Sequence, residues 1–89
     1  MKAIVTVIAR DRVGIMATVA NIMANNGINI LDISQTIMQD YFTMVMLVDL
    51  KECKMPFAEV ASLLKQTGEE LELNIRIQRE DIFDAMHRI

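Results

Sequence analysis

The sequence predicts an α+β domain in which four strands and two helices follow one another as β-α-β-β-α-β. Three observations carry that prediction: two stretches space their apolar residues as helices do, four stretches carry strand patterns, and turn or capping residues stand at the joins. A chain of 89 residues has room for one such domain. It is assigned to residues 1–79, with a short amphipathic helix over residues 80–89.

Residues 2–9 are apolar or β-branched at nearly every position (Ile4, Val5, Thr6, Val7, Ile8), the pattern of a central strand buried on both faces. Asp11 then stands where its carboxylate could cap a helix, and Gly14 falls in that helix's opening turn. Ile15, Met16, Val19, Ala20, Ile22 and Met23 form one apolar stripe at helical spacing. Asn25, Asn26 and Gly27 end it, because glycine readily adopts the left-handed conformation common at helix C-termini.

From Ile28 to Met38 the period falls to two, with Leu31, Ile33 and Ile37 on one face and Asp32, Ser34 and Thr36 on the other. A strand with one polar face suits a sheet edge. Gln39 and Asp40 make the turn into a strand running from Tyr41 to Leu50. Residues 51–55 connect, Pro56 takes the first helical position, and Phe57, Val60, Ala61, Leu63 and Leu64 form the second stripe, which Gly68 stops. Leu71, Leu73, Ile75 and Ile77 alternate with Glu72, Asn74, Arg76 and Gln78 in the last strand.

This order is the ferredoxin-like, split βαβ plan: a four-stranded antiparallel sheet, both helices on one face, strands one and three in the middle. The C-terminal stretch adds Ile82, Phe83, Met86 and Ile89 at helical spacing, a stripe that must cover either the open face of its own sheet or a partner subunit.

Composition narrows the function. With 53% hydrophobic and 24% charged residues the chain is globular, and its eight methionines are read as adaptable core filling. So small a domain gains from pairing, and a homodimer is expected. A net charge of −3 with scattered cations leaves no footprint for nucleic acid. Met1 and Lys2 run straight into a strand pattern without the apolar core of a signal peptide, no stretch is long enough to span a membrane, and the single Cys53 suits a reducing compartment; the expected location is the cytoplasm.

The residues with chemistry to offer lie at the ends of the first crossover, which the plan is expected to bring to one end of the sheet. Gly14 permits close approach of a ligand to helix amides, which favour an anion, or else it eases helix packing. Asp11 is either a cap or an acceptor for an ammonium group, and Asn29 either a turn residue or a donor and acceptor for a zwitterion. Arg10 and Arg12 read as solvated, with anion binding as the alternative.

The run Asp11-Arg12-Val13-Gly14-Ile15, followed by Gly27-Ile28-Asn29-Ile30 on this plan, resembles the ACT domain, a regulatory module that binds amino acids and other small effectors. The resemblance spans residues 2–79, and the short single-domain form is similar to stand-alone prokaryotic ACT proteins related to the regulator of the glycine cleavage operon. It implies a homodimer with an effector held between the first loop of one domain and the start of strand two of the other. The implied ligand-binding residues are Asp11, Arg12, Val13, Gly14, Ile15, Asn29 and Ile30, with signalling to a partner protein. Val13 stands where the family usually has proline, and Ala9 where some serine-binding members have histidine. No cofactor, metal or catalytic residue is implied.

Other uses of the plan find little here. An acylphosphatase-like enzyme would need a longer glycine-rich phosphate loop, and the single His87 has no nucleophile paired with it. A metal carrier would need a Cys-x-x-Cys pair, and an RNA reader aromatics on the central strands. The competing reading is a ligand-free oligomerisation or interaction module, for which Met44 and Met46 could provide surface.

Overall fold

The computed structural model describes residues 1–80. The chain runs β1 (Lys2–Arg10), α1 (Ile15–Asn25), β2 (Asn29–Met38), β3 (Tyr41–Asp49), α2 (Phe57–Glu70) and β4 (Asn74–Arg79). All strand pairs are antiparallel and the spatial order is β2-β3-β1-β4, so β1 and β3 are central and β2 and β4 are edges. The expected stripe of Ile82, Phe83, Met86 and Ile89, with His87 beside it, lies outside the described residues.

The core is the helix-covered face of this sheet. Val5 and Val7 of β1, opposite Met46 and Met44 of β3 and Ile77 and Ile75 of β4, meet Val19 and Met23 of α1 and Val60 and Leu64 of α2. Two methionines thus lie mid-sheet as fully buried filling rather than as surface. The other face corrects the expectation for β1. Ile4 and Thr6 are half-buried and Ile8 is exposed, because both helices occupy one face and β1 alternates across it.

The helix ends differ in detail from the sequence reading. The residue preceding α1 is Gly14, at φ +90°, and no side chain caps the helix, so Asp11 is not the cap. At the other end Gly27, at φ +70°, sits in a closed C-terminal motif: Ile28 N–H donates to Met23 O (2.9 Å) and Gly27 N–H to Ala24 O (3.2 Å). Helix α2 begins one residue later than expected, with Pro56 immediately before it. Nor does Gly68 stop it. That residue is buried within the helix, where only glycine fits because a Cβ would stand 2.6 Å from Leu73 O, and the same closing motif follows, with Leu73 N–H donating to Gly68 O and Glu72 at φ +59°. Leu71 therefore belongs to the helix end and is exposed, while Leu73 enters the core.

Strand β2 lies at the edge as expected, but one bulge between Ile30 and Asp32 re-phases it. Ile30 pairs with Val48 and Ile33 with Met46, both on the helix side, so Leu31 is the extra residue rather than a member of a continuous apolar row. Ile33 and Ile37 face the helix side yet remain 39% and 56% exposed, because no element among the described residues covers the outer margin.

Candidate functional site

The loop between β1 and α1 is held at two points. Asp11 N–H donates to Asp40 O at 2.7 Å, tying the loop to the β2–β3 turn, and Arg12 Nη2 donates to Leu71 O at 2.5 Å, at the C-terminus of α2 where the helix dipole is negative. Arg10 ends β1 with its guanidinium carbon 5.8 Å from the centre of the Tyr41 ring. Neither arginine is simply solvated.

Between these anchors the loop presents itself to solvent. Val13 is fully exposed, and a Cβ built on Gly14 would meet nothing within 4 Å. Gly14 therefore serves no helix packing; its positive φ and open surroundings are what the position requires. Ile15 is buried and pins the helix, whose first backbone bond runs from Thr18 N–H to Gly14 O (3.0 Å). The first-turn amides, capped by no side chain, face the open side of Gly14 with the positive end of the dipole behind them. Beside them Arg10, Asp11, Gln39 and Asp40 line a shallow polar cleft of about 330 Å³.

Asn29 and Ile30 lie elsewhere. Asn29 is exposed beside Asp49 at the opposite end of the sheet, and Ile30 packs half-buried against the core. The length of β1, eight steps from Lys2 to Arg10, separates the two ends by about 27 Å. The expectation that one chain brings Asp11, Gly14 and Asn29 to one end is thus corrected. β1 and β2 run parallel, each antiparallel to β3, so α1 must carry the chain back before β2 begins.

Around Asn29 the structure adds residues that sequence reasoning passed over. Asp49, Lys51 and Glu52 line a cleft of about 410 Å³ with Gly27, Ile28 and Asn29. Asp49 Oδ1 accepts from Lys51 N–H at 2.9 Å and lies 3.8 Å from the Met1 ammonium. A cleft of about 550 Å³ between α2 and β4 contains none of the expected site residues. Among the described residues no cluster of His, Cys, Asp or Glu is arranged to hold a metal, and no helix is long and apolar enough to cross a membrane.

Comparison with known proteins agrees with this fold. A family model described as ACT domain matches residues 2–78. The chain is 54% identical to a UPF0237 protein of Clostridium acetobutylicum over the whole of both chains. Among solved structures it is similar to an ACT domain protein from Streptococcus pneumoniae, with TM-score 0.84 and 42% identity over 98% of each chain. It also shares its fold with a putative glycine cleavage system transcriptional repressor, with TM-score 0.71 and 24% identity over 86% of this chain and 44% of that one.

Proposed function

This chain belongs to the ACT domain family and, within it, to the single-domain UPF0237 proteins, and on that premise we propose that it is a small cytoplasmic regulatory protein, not an enzyme, that binds an amino acid or similar small effector between two copies of itself. ACT domains typically regulate by binding ligands. The observation that carries the proposal is that the two halves of the candidate site lie at opposite ends of one edge strand.

Strand β2 is an edge of ten residues without Lys, Arg or Pro. The other edge, β4, carries Arg76 and Arg79, charges that oppose strand addition. Two-fold antiparallel pairing of β2 with its copy runs Asn29 of one protomer towards Met38 of its partner, the end where Asp40 holds the Asp11–Ile15 loop. The dimer thereby brings together what one chain separates. An effector carboxylate would lie at the first-turn amides after Gly14, with Asp11, Val13 and the Ile15 backbone around it, and Asn29 would bond the effector from the other protomer; Arg12 and Ile30 hold the two walls in place. Bound across the interface, the effector stabilises the dimer by mass action, and a partner protein reads the changed surface.

The test is thermal unfolding against each of the twenty amino acids, with mass measured by light scattering. A selective rise for one amino acid, lost in a folded Asn29→Ala variant, supports the assignment; unchanged affinity in that variant would sink it. A second reading, a ligand-free oligomerisation module, is favoured by the exposed apolar side chains of β2 alone, and it predicts a dimer that no amino acid stabilises.

A further inference from the structure

Resting on the reading of an amino-acid effector held beside Asn29, we infer that Asp49 is the acceptor for the effector's ammonium group and so decides between amino acids and other carboxylates. A zwitterion needs an anion for its cationic end. Asn29 is neutral, and Asp11 belongs to the half of the site assigned to the effector's carboxylate. The bulge in β2 places Asn29 directly opposite Asp49, so the two side chains leave the same face of adjacent strands and line the same cleft.

The carboxylate is already oriented for such a task. Oδ1 accepts from Lys51 N–H at 2.9 Å, which fixes the side chain to the backbone where β3 ends. The Met1 ammonium lies 3.8 Å from that same oxygen, an ion pair at a partly exposed carboxylate. Among the described residues Oδ2 makes no hydrogen bond or ion pair. A side chain held by one oxygen and open at the other binds a cation with little further ordering, and a charge-assisted bond there strengthens as the partner subunit closes over it.

Glu52 lines the same cleft but is exposed on the connection after β3, and its backbone carbonyl is packed against Gly27. It is the cleft's second anion and lacks both the pairing with Asn29 and the backbone anchor. Lys51 also lines the cleft, so an acidic effector side chain would find a cation there.

The experiment titrates the intact protein with amino acids and with their α-hydroxy counterparts, glycolate beside glycine, L-lactate beside L-alanine and L-glycerate beside L-serine, and repeats the series with Asp49→Asn. The amide keeps an oxygen for Lys51 N–H and removes the charge. The expected result is a loss of about tenfold or more for the amino acid, the size of a charge-assisted hydrogen bond, with the hydroxy acid unchanged. Equal losses for both ligands would show a structural role, and no loss for either would show that the ammonium lies elsewhere; both overturn the inference while leaving the amino-acid reading intact. If Asp49→Asn does not fold, the wild-type ratio decides: preference for the amino acid over its hydroxy acid by about tenfold supports the assignment, and equal affinity overturns it. Wild-type protein that binds no amino acid removes the underlying reading and this one with it.

Discussion

Gly27 lies against the backbone of Glu52 so closely that a Cβ on the glycine would stand 2.8 Å from the Glu52 carbonyl oxygen. The contact seals the end of α1 onto the connection after β3, beside Asn29. Replacing Gly27 by alanine combines a clash against backbone with a left-handed φ of +70°. Gly14 shares the left-handed conformation, at +90°, but faces open space. Gly27→Ala is therefore expected to destabilise by about 2–3 kcal/mol and Gly14→Ala by about 1 kcal/mol. Urea denaturation of both variants measures the difference, and equal losses would contradict the close contact at Gly27.

Glu72 occupies the left-handed position that closes α2, at φ +59°, where glycine is the usual residue. Its side chain is exposed and, among the described residues, makes no bond that compensates for the backbone conformation. Glu72→Gly is expected to stabilise by about 0.5–1 kcal/mol, the relief of the left-handed strain less the entropy glycine loses on folding. A fall in denaturation midpoint would mean that the glutamate contributes a contact at the helix end.

The element order is legible in the sequence because local pattern and tertiary placement agree: the stripes of α1 and α2, the Gln39-Asp40 turn and the alternation of Leu73, Ile75 and Ile77 all serve one buried face. What fails is whatever depends on pairing. Counting outward from the turn, where Met38 meets Tyr41, puts Leu50 opposite Asn29; the bulge before Asp32 moves the partner to Asp49. No residue in Ile30-Leu31-Asp32 announces that extra step, so the second half of the site escapes a reading of periods. Similarly, Gly68 reads as a helix stop because close approach by Leu73, distant in strand terms, leaves no local mark.

Arg12, a candidate ligand residue, bridges the loop through its guanidinium to Leu71 O at the end of α2. Breaking that bond should loosen the loop before any effector arrives. Arg12→Ala is expected to cost about 0.5–1 kcal/mol in effector-free protein, small because the bond is exposed, and to lower Tm by a few degrees. Unchanged stability would return Arg12 to the role of an anion ligand.

The outer margin of β2 supplies the most direct test of the assembly. Ile33 and Ile37 point to the helix side, so among the described residues the outer margin of β2 offers unpaired backbone and apolar side chains together. A copy paired there would cover both, and a charge placed at its centre would have to be desolvated on each protomer. Ile33→Lys is thus expected to raise the dimer dissociation constant by about 100-fold or more, while its exposure in the single chain keeps the change in monomer stability within about 1 kcal/mol. Light scattering across a dilution series reads the effect. A variant that stays dimeric would move the interface to another face, and a monomer that still binds its amino acid with full affinity would place the whole site within one chain.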